Sequence, residues 1–94
     1  MIQDSTGVYF SPAINVTGHN RVSIILQATQ DGIVDVDVSE DGITWSTHEG
    51  MDLIADEKTS YQVLMDNNQH VRYSVNTAGT ITASSIYMGG FVNG

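Results

Sequence analysis

A chain of 94 residues with eleven acids, three basic residues and no cysteine carries a net charge of −8 and is expected to form one domain spanning residues 1–94. The missing thiol excludes disulfides, thiolate metal sites and a cysteine nucleophile, and the sign of the charge opposes binding to nucleic acid. No run approaches the roughly 18 apolar residues of a membrane span, and Met1-Ile2-Gln3-Asp4-Ser5-Thr6 has neither the basic start nor the apolar core of a secretory signal.

Period-two alternation, the signature of strands with one buried face, runs through most of the chain. A first short strand is read at Val8 to Ser11. In the β-branched stretch that follows, Val22, Ile24, Leu26 and Ala28 are predicted to point inward, and Arg21, Ser23, Ile25 and Gln27 outward. Gln30-Asp31-Gly32 reads as a hairpin turn into an antiparallel partner, where Val34, Val36 and Val38 face in and Asp35, Asp37 and Ser39 face out. Glu40-Asp41-Gly42 is a second turn, leading to a strand at Ile43 to Thr47 in which Trp45 is expected to anchor the core.

Gly50 to Ser60 is read as a loop. Tyr61, Val63 and Met65 form the inward row of the next strand, Asp66-Asn67-Asn68-Gln69 a turn, and Val71, Tyr73 and Val75 the inward row of a strand from His70 to Asn76. Ala78-Gly79 turns into a last long strand, Thr80 to Met88, with Gly89-Gly90 as a bulge or bend before Phe91-Val92. The pattern predicts an all-β fold, an antiparallel β-sandwich of about seven to eight strands with jelly-roll-like connectivity.

Charge is segregated along the chain. Ten acids lie between Asp31 and Asp66 against Lys58 alone, which leaves −9 there, while Arg21 and Arg72 against Asp4 leave +1 in the remainder. Neutral strands without Lys or Pro are poorly defended against edge pairing, so the neutral segments, with Tyr9, Phe10, Tyr87 and Phe91, are expected to be covered by partner subunits.

The constellations that support catalysis are missing. His19, His48 and His70 lack zinc-ligand spacing, no serine sits in a nucleophile elbow, and a sandwich of this size has little room for a cleft that tunes paired carboxylates. Asp31, Asp35, Asp37, Glu40 and Asp41 raise calcium, yet they lack the EF-hand spacing, and a solvated strand face carries the same alternation. Catalytic, cofactor-binding and metal residues are therefore assigned as none, no cofactor is expected, and Asp35 and Asp37 are the first residues to test for a cation. The spacing of the aromatics groups none of them on one exposed face, and Trp45, Tyr61 and Tyr73 are read as core.

The most specific local pattern is Ser39-Glu40-Asp41-Gly42-Ile43-Thr44-Trp45 after the valine-rich Val36-Asp37-Val38. It resembles the Asp box of sialidase-type propellers with one residue missing between Asp41 and Gly42. It is similar, without a gap, to the Ser-x-Asp-Gly-x-x-Trp hairpin of discoidin-like and carbohydrate-binding sandwiches and of small virion domains of tailed bacteriophages. The chemistry of the motif is structural: Asp41 accepts backbone amides, and Gly42 takes positive φ.

Together with the Gly-, Thr-, Ser- and Val-rich texture, the resemblance implies a non-enzymatic virion protein, a capsid decoration or cement subunit assembled in the host cytoplasm. Its partners would be further copies of itself, as a homotrimer, and the major capsid protein or another virion protein, with no nucleic acid and no membrane. The alternative it implies is a carbohydrate-binding module, or a tail or baseplate adaptor that contacts host glycans.

Overall fold

The computed structural model describes residues 2–3 and 7–89. It is all-β, with nine strands among the described residues: β1 (Ile2–Gln3), β2 (Tyr9–Phe10), β3 (Ile14–Asn15), β4 (Arg21–Ala28), β5 (Gly32–Ser39), β6 (Ser46–Leu53), β7 (Thr59–Leu64), β8 (His70–Thr77) and β9 (Ile81–Gly89). They form two antiparallel sheets packed as a small sandwich. One sheet has the order β1-β2-β8-β5-β6, with β3 also on β8, and the other has the order β7-β4-β9. β9 runs to Gly89, which is extended, while Gly90 of the expected Gly89-Gly90 bend, the Phe91-Val92 extension and Asp4 lie outside the described residues.

The inward rows named from the alternation meet between the sheets. Val22, Ile24, Leu26 and Ala28 of β4, Val34 and Val36 of β5, Val63 of β7, and Val71 and Val75 of β8 are completely buried, with Val38, Tyr61 and Tyr73 nearly so. Burying each such aliphatic side chain contributes on the order of 1.5–3 kcal/mol, which makes these rows the main source of cohesion. The Tyr73 hydroxyl reaches across the sandwich to Ser84 Oγ at 3.2 Å, and the Tyr61 hydroxyl donates to the Asp52 carbonyl oxygen. Burial raises the Tyr61 pKa, and the neighbouring Asp52 charge adds to the rise.

The structure departs from the sequence reading in five places. First, Gln30-Asp31-Gly32 closes no hairpin. β4 pairs with β7 and β9, whereas β5 pairs with β6 and β8, so the chain crosses from one sheet to the other at this point. The crossing is stitched at its corner by Thr77 Oγ1, which donates toward the carbonyl oxygens of Gln30 (3.1 Å) and Asp31 (2.9 Å), and by Asp31 Oδ1, which accepts from the Ala55 amide at 2.7 Å.

Second, the strand expected at Ile43 to Thr47 starts only at Ser46 and runs on through Met51 to Leu53, residues read as loop. Asp52 and Gly50 hide its alternation, yet Leu53 is buried, and pairing with β5 extends to Gly32↔Leu53 through an irregularity between Val36 and Asp37. Third, Ser39 is buried and not outward, because its hydroxyl is consumed by the turn that follows. Fourth, Trp45 is half-exposed outside the core.

Fifth, there are nine strands among the described residues, because the amino-terminal edge is split in three. β2 and β3 share one edge of β8, with Tyr9↔Val75 and Ile14↔Val71 in register. Between them Pro12 lacks the N–H a continuous strand would need. Ser11 fills the gap: its amide donates to the Tyr73 carbonyl oxygen at 2.8 Å and its Oγ accepts the Tyr73 amide at 2.9 Å.

Candidate functional site

Two surfaces stand apart from an ordinary solvated sandwich. The first is the outer face of the β7-β4-β9 sheet. Because Val22, Ile24, Leu26 and Ala28 face in, the residues between them face out, and the register lines up Leu64, Arg21 and Gly89, then Gln62, Ser23 and Tyr87, then Ser60, Ile25 and Ser85. Arg21 is the only charged residue in the three strands. Tyr87 and Leu64 are each 58% exposed on this face. β7 and β9 each pair with β4 alone, and among the described residues no strand covers their outer edges. Neither strand contains Pro or Lys, the usual guards of a free edge.

The second surface is a groove of about 580 Å³ on the outer face of the larger sheet, a size within the roughly 300–1,000 Å³ of ligand sites. Its floor is built by pairing: Asp37 of β5 lies opposite Arg72 of β8, and Arg72 Nε donates to Asp37 Oδ2 at 3.2 Å. Trp45 comes in from the β5–β6 loop, with the Arg72 guanidinium carbon 4.2 Å from its ring centroid. Phe10 comes in from β2 opposite Ser74 and is 37% exposed. Both Asp37 and Arg72 are partly solvated, so the ion pair and the cation–π contact are each worth at most about 1 kcal/mol. Their role is to hold the polar groups and the ring in fixed relation.

The Ser-Glu-Asp-Gly loop positions Trp45. Asp41 Oδ1 accepts from Ser39 Oγ (3.0 Å), the Ile43 amide (2.8 Å) and the Thr44 amide (2.9 Å), while Ser39 Oγ accepts the Gly42 amide at 2.8 Å. The Thr44 and Ile43 amides, followed by the Ser39 hydroxyl, hold the Asp41 carboxyl below its ordinary range. Gly42 has φ of 80°, and a Cβ there would lie 3.3 Å from the His70 ring. The motif therefore acts as the structural device expected of it, and its product is the outward placement of Trp45.

The acids considered for calcium are separated by these roles. Asp31 caps the β6–β7 loop, Asp37 faces Arg72, Asp41 holds its own turn, and Asp35 lies beside Gly50. Among the described residues no three His, Cys, Asp or Glu side chains converge in the way a metal site needs.

Sequence reasoning missed the grouping of Phe10 with Trp45 on one exposed face. The two are 35 positions apart, and only the β2–β8–β5 register brings them to one groove. The outward positions of Asp37 and Arg72 were readable from alternation, but their juxtaposition was not. The chain matches no protein-family model, no curated protein and no solved structure.

Proposed function

We propose that the chain is a non-enzymatic assembly subunit, a decoration or cement protein of bacteriophage type that self-associates as a trimer and docks on a larger shell. The observation that carries this reading is the outer face of the β7-β4-β9 sheet, free of acids and with Arg21 as its one charge, together with sheet edges that no strand covers among the described residues, in a molecule of net charge −8. Interface cores are depleted in charge, and a neutral strand edge is a template for a further strand. The acids lie elsewhere: Asp35, Asp37 and Asp52 on the other sheet, and Glu40, Asp41, Asp56, Glu57 and Asp66 in the turns. That distribution keeps two subunits from repelling one another at the neutral face, while the acidic face remains solvated.

In this mechanism no residue is reactive. A subunit that binds only the assembled lattice stabilises it by mass action, and a trimer multiplies weak contacts through avidity. The virion setting comes from the resemblance of the Ser39 to Trp45 hairpin, and the structure adds a face suited to docking.

Light scattering on the purified chain and co-sedimentation with shells assembled from a tailed-bacteriophage major capsid protein test the proposal. The expected result is a trimer that co-sediments, with Tyr87→Lys lowering both associations at least tenfold while circular dichroism stays unchanged. A monomer that ignores the particles overturns it.

A further inference from the structure

We propose that the Phe10–Trp45 groove is a binding site for a neutral saccharide. This inference is independent of the assembly reading, because the groove lies on the sheet opposite to the proposed docking face. It combines three features that such a ligand needs. There is apolar ring surface for the C–H face of a pyranose, from Phe10 and Trp45. There is a planar acceptor in Asp37 and a planar donor in Arg72, at the spacing of one ion pair. There is also room, since the groove is open to solvent and about 580 Å³ in volume.

Hydrogen-bonding capacity on the floor is only partly consumed. Arg72 spends its Nε on Asp37, and among the described residues neither its Nη groups nor Asp37 Oδ1 has a partner. Adjacent sugar hydroxyls, each both donor and acceptor, satisfy a carboxylate oxygen and a guanidinium N–H together. A cation would meet Arg72. An anion would meet Asp37 and the field of a protein with net charge −8. A neutral polyol with one apolar face suffers neither conflict.

Floor and walls are held in place before any ligand arrives. Asp37 and Arg72 sit on the paired central strands β5 and β8, and Trp45 follows a loop fixed by the Asp41 carboxylate. Such preorganisation reduces the entropy lost on binding.

Trp45 is the only tryptophan in the chain, so its emission reports on the groove alone. The experiment titrates the full chain with maltohexaose, cellohexaose and N-acetylchitohexaose, and with 3′-sialyllactose as the anionic control. Each titration is repeated by observing backbone amide shifts in ¹⁵N-labelled protein, which detects binding that leaves the emission unchanged.

The expected result is a saturable response to at least one neutral oligosaccharide, with Kd on the order of 1 mM or tighter, and amide shifts centred on Phe10, Asp37 and Arg72. Phe10→Ala and Arg72→Gln should each weaken it at least tenfold with circular dichroism unchanged, and Tyr87→Lys should leave it intact. If no neutral probe saturates by either readout, if the anionic control binds more tightly, or if both groove variants bind like the parent chain, the proposal fails. Failure of the trimer or of co-sedimentation has no bearing on this result.

Discussion

The two sheets share one core and differ on their outer faces. The β7-β4-β9 sheet presents Leu64, Gln62, Ser23, Ile25, Tyr87 and Ser85, with Arg21 at one end. The larger sheet presents Asp35, Asp37 and Asp52 with the Arg72–Trp45 stack. Both faces are strand surface with similar inward neighbours, so core packing does not require the difference. What a strand buries is set by the sandwich, and what it shows outward is free to be set by partners. A face left without a single acid in a strongly acidic molecule is therefore informative in a way that its buried side is not.

The largest expected effect separates inside from outside on one strand. Leu26→Ala should cost about 2–5 kcal/mol in urea unfolding, whereas Gln27→Ala, one residue along on the outer face, gives up only an exposed hydrogen bond from Nε2 to the Asp56 carbonyl oxygen and should cost no more than about 1 kcal/mol. Similar costs at the two positions would mean that the outer face is also packed, as it would be in an obligate oligomer. Next comes the contrast between faces. Ile25→Lys should weaken self-association by about tenfold or more, or roughly 1.4 kcal/mol, and Asp35→Lys should leave it unchanged by light scattering. Equal effects would remove the distinction between the faces.

The groove loop gives a smaller effect. Gly42→Ala should destabilise by about 1 kcal/mol, because alanine disfavours positive φ and its Cβ presses on His70. Trp45 emission should shift in the same variant while association through the other sheet is retained.

The smallest effect is the acid response of Asp41. Its folded pKa lies below the unfolded value, so its stabilising contribution is complete above the ordinary aspartate range and fades as pH falls through the folded pKa. The stability difference between the parent chain and Asp41→Asn should therefore shrink on acidification below about pH 4. A difference that is constant with pH would show that the charge of Asp41 does not hold the loop.

Much of the sandwich was legible because alternation is a local signal. Val22 to Ala28, Tyr61 to Met65 and Val71 to Val75 each name their buried row without reference to any partner. β6 was half missed for an equally local reason: Gly50 and Asp52 interrupt the apolar period, and only pairing with β5 keeps the segment extended to Leu53. Trp45 was misplaced because size and apolarity favour burial in general, whereas here the Asp41-held turn and the Arg72 guanidinium offer it a half-exposed seat. Of the candidate groove, the outward positions of Asp37 and Arg72 could be read from sequence, and the arrival of Phe10 could not.

By itself the sequence determined the all-β class, the inward rows, the turn chemistry of Ser39 to Gly42 and the uneven distribution of charge. Each of these is set by neighbours a few residues away. Tertiary structure decided which strands pair and hence which faces the charges occupy. Asp31 to Asp66 reads as one acidic block along the chain, yet β7 within it joins the neutral sheet while β8 outside it lies beside the aspartates of β5. The physical reason is that Gln30-Asp31-Gly32 marks a change of direction without specifying whether the chain returns within its sheet or crosses to the other. That choice is made by long-range backbone pairing and core packing, which no local pattern encodes.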